Sequence, residues 1–481
     1  MLRPLTAICL LSLVLTPCIP AAEEVSTETA DPDKTRATQI EWLKQHAIPI
    51  RTIDPTDDDF EDLMPLIDKI GSARVVALGE QTHGDGAAFL AKHRLIRLLH
   101  EKMGFDVLAW ESGMFDCREM DAALLAGASP EEATKKGIFP IWGASGHVLP
   151  VFQYAASTRK SGHRLEMAGF DCQFSSGTST KQYPEAIEAF FDRIDKDLLS
   201  DDDREKLKKV IAKNRKDKLD EDLDSQAFVN GLIKRLDDSA SGAARVHCQR
   251  EIAFIRRTLQ NLLTLDQIRS SGKSGDPADT NRRDKAMGEN LAWLAQEYYP
   301  DRKIIVWAAS FHLMREAAQI KWQDGPLNYD STVPMGHVAH SLLGDDYYSV
   351  MFIAHHGKAG NPFMKPSDLS EAPPGSLSDL LHATGTPYAF LDFRSSLPDN
   401  HWLREPITAR PLGYTAMTAN WPKSFDAVFY TETMFPSTRD GTMPQGIRSA
   451  KPRKDAPSVA KALQDYRKNL IEYDLGFRSG T

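Results

Sequence analysis

Residues 75–86 read VVALGEQTHGDG, and this stretch decides the fold. Its first part, Val75 to Gly79, is short, apolar and rich in β-branched residues, which is typical of a buried parallel strand. Glu80 and His83 follow at once, so we expect them in the loop at the carboxyl end of that strand, where ligands bind in open α/β sheets. Residues 87–102 carry apolar side chains near a 3.6-residue period and predict a helix. This strand, loop and helix place a carboxylate and an imidazole at the edge of the sheet where ligands bind. A turn that only caps the helix, without chemistry, is the alternative interpretation of the same residues.

Six further apolar runs resemble the first strand, and helical patterns separate several of them. They lie at residues 106–110, 164–169, 303–308, 348–354, 388–393 and 427–430. Alternation of strands and helices is typical of a parallel sheet. We therefore predict the α/β fold class, with a mainly parallel central sheet and flanking helices.

A large helical insertion is predicted at about residues 183–300, where charge is dense and apolar residues recur at helical spacing. The charge run at residues 213–225 within it is interpreted as a solvated face or connector. With 481 residues, the chain exceeds one ordinary core. We assign residues 39–481 to one elaborated α/β domain that includes the insertion.

The first residues have the features of an export signal. Arg3 precedes an apolar stretch at residues 5–15, which predicts a signal peptide at 1–22 whose apolar core is too short to span a membrane. Residues 23–38 are polar and contain proline, so we expect a flexible tether. The protein is predicted to be exported, either periplasmic or secreted, with no membrane span.

Charge and cysteine usage exclude some functions. A formal net charge of -9 argues against a nucleic-acid partner. Cys117, Cys172 and Cys248 remain after the predicted signal, and the chain has no CxxC motif, so a thiolate zinc site is not expected. We interpret these cysteines as small buried hydrophobic residues, with a disulfide between Cys117 and Cys172 as the alternative.

Polar residues follow four of the predicted strands. Glu111 follows the run 106–110, and Asp171 follows 164–169. The run at 303–308 is followed by Ser310, His312 and Arg315. If the strand before Glu111 neighbours the strand before Glu80, these carboxylates and His83 share one cleft. Taken singly, His312 is more often a packing histidine and Asp171 a helix cap.

Two carboxylates beside an imidazole favour a general base that activates water. The motifs GxSxG, HExxH, GxxxxGK[ST] and GxGxxG are absent from the sequence, which disfavours serine-hydrolase, zincin, P-loop and dinucleotide chemistry. A divalent metal held by Glu80, His83, Glu111 and His312 is the alternative, because these residue types also bind zinc or manganese.

At these residues the chain resembles the erythromycin esterase family. The matching motifs are GEQTHG at 79–84, KHRLIR at 92–97, AWE at 109–111, GFDCQ at 169–173, RDKAMGEN at 283–290, VWAASFH at 306–312 and MGHVAHSLLGDDYYSV at 335–350. They occur in the family's order, and the resemblance covers roughly residues 40–435. It implies an α/β fold with a large helical part and hydrolysis of a small-molecule ester, typified by opening of a macrolide lactone.

The resemblance also implies roles for individual residues. His83 is the base that activates water without a covalent intermediate, and Glu80 and Glu111 orient or polarise it. From their placement near the strand ends, we expect His312 or Lys92 to serve the oxyanion. Residues expected to contact the substrate or the oxyanion are Lys92, Asp171, Ser310 and Arg315. No resident cofactor is expected.

One position departs from the family pattern. Many members carry WAHNxH where this chain has WAASFH, so Ala309 replaces the first histidine. Loss of one oxyanion donor costs about 3 to 4 kcal/mol of transition-state stabilisation. Either His312, Ser310 or Arg315 compensates, or the substrate is not a macrolide. A ligand-binding homologue without catalysis is a further alternative.

Overall fold

The computed structural model describes residues 32–445, except 214–223, 240–243, 272–275, 324, 326–327 and 396. The predicted signal peptide, the tether up to residue 31, residues 446–481 and most of the charge run at 213–225 lie outside the described residues. Within the described part, no helix has both the length and the apolar character needed to cross a membrane.

The core is a nine-stranded sheet of mainly parallel strands. In chain order the strands are β1 (Ile48–Pro49), β2 (Val75–Leu78), β3 (Phe105–Gly113), β4 (Glu166–Asp171), β5 (Lys303–Trp307), β6 (Lys321–Trp322), β7 (Tyr347–Ala359), β8 (Ser367–Leu369), β9 (Tyr388–Asp392), β10 (Ile407–Ala409), β11 (Met417–Ala419) and β12 (Ala427–Met434). The large sheet runs β1-β9-β12-β7-β2-β5-β3-β4, with β8 paired to β7. The strands from β12 to β4 are parallel, and β1, β8 and β9 are antiparallel additions. The predicted fold class is confirmed.

Helices cover both faces of this sheet. They are α1 (Pro32–His46), α2 (Pro65–Ile70), α3 (Gly86–Met103), α4 (Met114–Leu125), α5 (Pro130–Gly137), α6 (Pro140–Gly143), α7 (Leu149–Thr158), α8 (Ser179–Ile194), α9 (Asp201–Lys213), α10 (Ser225–Ser239), α11 (Ala244–Ser270), α12 (Pro277–Trp293), α13 (Ser310–Leu313), α14 (Met335–Leu343), α15 (Leu377–Ala383) and α16 (Trp421–Ser424). Helices α8 to α12 occupy the range predicted as an insertion. A short π-helix (Leu294–Tyr298) ends it, 3₁₀ turns lie at Gly344–Asp346 and Trp402–Arg404, and β6, β10 and β11 form a separate small sheet.

Strand β2 shows why its sequence folds as predicted. All four residues are buried, and their side chains alternate between two apolar cores, because successive side chains of a strand point to opposite faces. Val75 and Ala77 pack on the face covered by the helical insertion, while Val76 and Leu78 pack on the face covered by α3. A sheet buried on both faces requires a continuous apolar run, and VVAL supplies it.

The order of the central strands corrects one expectation. Strand β5 lies between β2 and β3 and pairs with both, so the strand before Glu80 does not neighbour the strand of Glu111. The two ends are about 10 Å apart, since adjacent strands are spaced by roughly 4.8 Å. The chain that leaves β5, beginning with Ala308, therefore lies at the carboxyl edge of the sheet between Glu80 and Glu111.

One further expectation is wrong, and one alternative is excluded. Helix α1 begins at Pro32, so residues 32–38 are helical rather than tether, and Arg36 forms an ion pair with Asp379 at 2.8 Å. Cys117 and Cys172 are buried free thiols and do not form the alternative disulfide, and Cys248 is also free. Burial raises the pKa of the Cys117 thiol, which agrees with its interpretation as a small hydrophobic residue.

Candidate active site

The first centre is the carboxylate of Glu80, whose side chain is completely buried after β2. Its Oε1 accepts hydrogen bonds from the Trp142 indole at 3.0 Å and from Nδ1 of His83 at 2.8 Å. Its Oε2 accepts from the Lys92 ammonium at 2.5 Å. Three donors therefore fix this carboxylate, and one of them neutralises its charge.

The imidazole of His83 is oriented by this carboxylate. Because Nδ1 donates to Glu80, Nε2 is the nitrogen left to accept a proton. The side chain is 35% exposed, and the Trp142 ring lies edge-on at 4.8 Å. Burial lowers the pKa of His83, but the hydrogen bond and charge of Glu80, together with the charge of Glu111, outweigh it and raise the pKa above its ordinary value.

Lys92 balances the charge of Glu80 from inside the protein. It lies on α3, is fully buried, and places its ammonium 4.2 Å from the centroid of the Trp307 ring. Burial lowers the pKa of Lys92, against the opposing attraction of Glu80. The ammonium faces Glu80 and the carbonyl of Ala308 at 3.4 Å.

The second centre is the carboxylate of Glu111 in β3. Its Oε1 accepts from Arg283 at 3.0 Å and lies 3.2 Å from Nε2 of His312, and its Oε2 accepts from the backbone N–H of Ala309 at 3.0 Å. Burial raises the pKa of Glu111, but His312 and Arg283 outweigh it and hold the pKa well below its usual range. Glu111 is therefore an anion that ties β3 to the chain after β5.

His312 is held between two carboxylates. Its Nδ1 lies 2.5 Å from Oδ1 of Asp284, and its Nε2 faces Glu111. Burial lowers the pKa of His312, but Asp284 and Glu111 outweigh it and raise the pKa to about 10. The ring is consequently an imidazolium at neutral pH.

Arg283 connects the second centre to the helical insertion. From α12 it reaches Asp171 at the end of β4, with Nη2 at 2.6 Å and Nε at 3.2 Å from Oδ2. Its Nη1 lies 3.4 Å from Nε2 of His312. Asp171 also accepts from the backbone N–H of Gln173 at 3.0 Å. Asp171 thus positions Arg283 in addition to closing a local turn.

A sequence model of the erythromycin esterase family matches residues 100–441. The chain belongs to the erythromycin esterase family. The resemblance drawn from the motifs is confirmed. The matched range begins after His83, so the chemistry of the first centre depends on the geometry above.

Relatives of known sequence and structure cover most of the chain. Erythromycin esterase type II of Escherichia coli is 25% identical over 431 residues, which cover 82% of this chain and 97% of that relative. A hydrolase candidate, YbfO of Bacillus subtilis (strain 168), is 27% identical over 422 residues, covering 82% and 91%. These relatives support hydrolytic activity.

Solved structures at lower identity share the fold. A Bacillus cereus protein superposes with a TM-score of 0.67 at 20% identity, covering 84% of this chain and 98% of the other. A histidine-to-asparagine mutant of the erythromycin esterase EreC, in its open conformation, gives a TM-score of 0.56 at 18% identity, with coverage of 82% and 99%.

Ser310 and Arg315 both make contacts within the protein. The N–H of Ser310 donates to the carbonyl of Glu80 at 2.9 Å, and a Cβ at Gly79 would overlap Ser310 Oγ. Gly79 therefore lets β2 and the chain after β5 meet. Arg315 lies outside the cluster: its guanidinium is 2.5 Å from Asp426 and donates to the carbonyl of Pro422 at 2.9 Å.

Three residues of the site were not singled out from the sequence. Arg283 and Asp284 open the RDKAMGEN motif of this family, which was noticed only as part of the resemblance. Trp142 lies in the four-residue helix α6, outside every motif, and gave no signal. The helices bring these side chains to the sheet edge through packing.

The two carboxylates do not fit a metal ion. The positive groups of Lys92 and Arg283 already contact Glu80 and Glu111, and a metal ligand needs those lone pairs free of competing cations. Across residues 32–445, leaving out the gaps, no group of three His, Cys, Asp or Glu side chains has an arrangement that holds a metal.

A stability measurement tests the protonation of His312. In the unfolded chain its pKa is the ordinary 6.5, and in the folded protein it is raised to about 10. Its stabilising charge is therefore fully present below pH 6.5 and is lost as the pH rises towards 10. We expect the difference in free energy of unfolding between wild type and the Asp284→Asn, His312→Gln double variant to shrink across that window in urea titrations. A difference that does not change with pH would show that folding does not raise the pKa of His312.

Proposed function

We propose that this protein hydrolyses a carboxylic ester or lactone by adding water to the carbonyl, with His83 as the general base. The observation that carries the proposal is the 2.8 Å hydrogen bond between Glu80 and Nδ1 of His83. It leaves Nε2 as the basic atom of a ring that is 35% exposed. A carboxylate partner also stabilises the imidazolium that forms when the base takes a proton.

The proposed reaction needs no covalent intermediate. Nε2 of His83 takes a proton from water as the water oxygen bonds to the carbonyl carbon. The bond from that carbon to the alcohol oxygen then breaks, and His83 returns the proton to the departing alkoxide. The atoms balance as ester plus water giving acid plus alcohol.

The oxyanion is assigned to Nη1 of Arg283 in the second centre. Both ring nitrogens of His312 face carboxylates, so His312 contributes positive charge beside Nη1 of Arg283, which lies 3.4 Å from its Nε2. Cationic donors fixed in advance stabilise negative charge that develops in a transition state. Lys92 is instead assigned to neutralising Glu80, because its ammonium is buried against that carboxylate.

The proposal extends to substrate class and location. The partner is a small-molecule ester or lactone, and the mechanism requires no metal. The apolar residues after Arg3 support export to the periplasm or the medium, and no nucleic-acid partner is proposed for a chain with a net charge of -9. Activity is expected to survive dialysis against a chelator, whereas a metal-dependent hydrolase would lose it.

Ala309 favours a second candidate, a ligand-binding homologue with little turnover on macrolides. Its backbone N–H is engaged by Glu111, and its methyl group has no hydrogen to donate to an oxyanion. The family histidine at this position would have added such a donor. Tight binding of an ester without product would support this candidate.

Replacement of His83 by alanine tests the base. We expect kcat/KM to fall by roughly 10²- to 10⁴-fold, because the water loses its proton acceptor. The assay is a screen of macrolides, simple lactones and aryl esters. His340→Ala, on α14 and outside the site, is the matched control and should retain wild-type turnover. Full activity of a folded His83→Ala protein would refute the assignment.

Replacement of Ala309 by histidine tests the departure from the family. We expect macrolide cleavage to appear or to rise by roughly 10²-fold, since one oxyanion donor has about that effect on kcat. Ala309→Leu is the control, because it fills the same space without a donor. An equal gain in both variants, or no gain in the histidine variant, would show that Ala309 does not limit macrolide turnover.

A further inference from the structure

Tyr414 has an unusual backbone conformation near the His83 loop. Among the described residues it is the one non-glycine residue with a positive φ, which is 61°, and Gly413 before it has a φ of 62°. A bulky L-residue is unfavourable in this region, so its surroundings must hold it there. Such conformations concentrate where they contribute to a site.

The side chain of Tyr414 contacts the loop through Asp85. The phenol donates to Oδ1 of Asp85 at 2.8 Å, and Asp85 is completely buried. The same carboxylate accepts the backbone N–H of Thr82 at 2.8 Å and its hydroxyl at 2.6 Å. Thr82 directly precedes His83, so Asp85 transmits the contact to the residue beside the base.

The turn that carries Tyr414 also holds the loop through its backbone. The N–H of Gly413 donates to the carbonyl of Gln81 at 2.9 Å, and the amide of Gln81 donates to the carbonyl of Arg410 at 2.6 Å. Arg410 in turn donates to the carbonyl of His355 in β7 at 2.7 Å. Residues 410–414 therefore fix residues 81 and 82 against the sheet.

We propose that Tyr414 is a positioning residue for His83, acting through Asp85 and Thr82. It holds the loop in the place where the imidazole meets Glu80. The proposal rests on the proposed role of His83 as the base. Its geometry is independent of the substrate, because every contact lies within the protein.

The hydrogen bond from Tyr414 affects the pKa of Asp85. Burial raises the pKa of Asp85 to about 6, the hydrogen bonds from Thr82 and Tyr414 oppose that rise, and the charge of Glu80 adds to it. Loss of the phenol hydroxyl removes one group that favours the ionised form. Asp85 then binds a proton at higher pH, and its hold on the Thr82 amide weakens.

The test compares two tyrosines that each donate to a buried aspartate. Tyr414→Phe removes the contact with Asp85, and Tyr348→Phe removes a 2.8 Å bond to Asp392 at the opposite end of the sheet. The first readout is the pKa of His83, which is measured by NMR titration of its ring. We expect it to fall towards the ordinary 6.5 in Tyr414→Phe and to stay unchanged in Tyr348→Phe.

The second readout is turnover of an ester substrate. We expect kcat of Tyr414→Phe to fall roughly 10-fold with KM within about twofold, because misplacement of a catalytic group affects chemistry more than binding. Thr82→Val, which removes the 2.6 Å bond to Asp85 from the other side, should move the His83 pKa in the same direction.

Three outcomes would overturn the proposal. The first is an unchanged His83 pKa in both Tyr414→Phe and Thr82→Val. The second is an equal change in Tyr348→Phe, which would indicate a general effect of lost stability. The third is a shifted pKa with wild-type kcat in a protein whose His83→Ala variant is inactive. If His83→Ala is instead fully active, the proposed function fails, while the titration still decides whether Tyr414 positions the ring.

Discussion

The buried carboxylate of Glu80 is the constraint on which the rest of the site depends. A charge without solvent is stable only when donors surround it, and here Lys92, Trp142 and His83 supply them from three different segments. Lys92 neutralises the charge, Trp142 shapes the wall beside the ring, and His83 receives its orientation. Removal of Glu80 would therefore leave a buried ammonium unpaired and free the imidazole at the same time.

In the second centre, buried carboxylates are likewise surrounded by donors, and the helical insertion supplies the positive charge. Arg283 comes from α12, and Glu111 and Asp171 come from the neighbouring strands β3 and β4. The insertion is thus part of the site and not only an appendage on the sheet. Because β5 lies between β2 and β3, the chain after β5 brings His312 to Glu111 and the backbone of Ser310 to Glu80, and so connects the two centres.

Much of the fold and part of the site follow from local sequence. Each apolar run named from the sequence overlaps a strand, and Glu80, His83 and His312 follow strands as the pattern predicted. Glu111 lies inside β3, which continues to Gly113. Strand order could not be predicted from local sequence, because it depends on how the segments that connect the strands pack on the sheet. Arg283 and Asp284 depend on how closely α12 approaches α14, where a Cβ on Gly288 would lie 2.6 Å from Cβ of Val338. Tyr414 is more than 300 residues from Asp85, a separation that no local pattern can bridge.

Chemical rescue of His83→Gly tests the central claim most directly. If the imidazole of His83 takes the proton from water, imidazoles added to the folded variant should restore turnover, and the restored rate should rise with the basicity of the added imidazole. The added imidazole should raise the rate of ester hydrolysis and leave substrate affinity unchanged. A folded His83→Gly protein that binds substrate and responds to no imidazole, or that turns over as fast as wild type, would contradict the account.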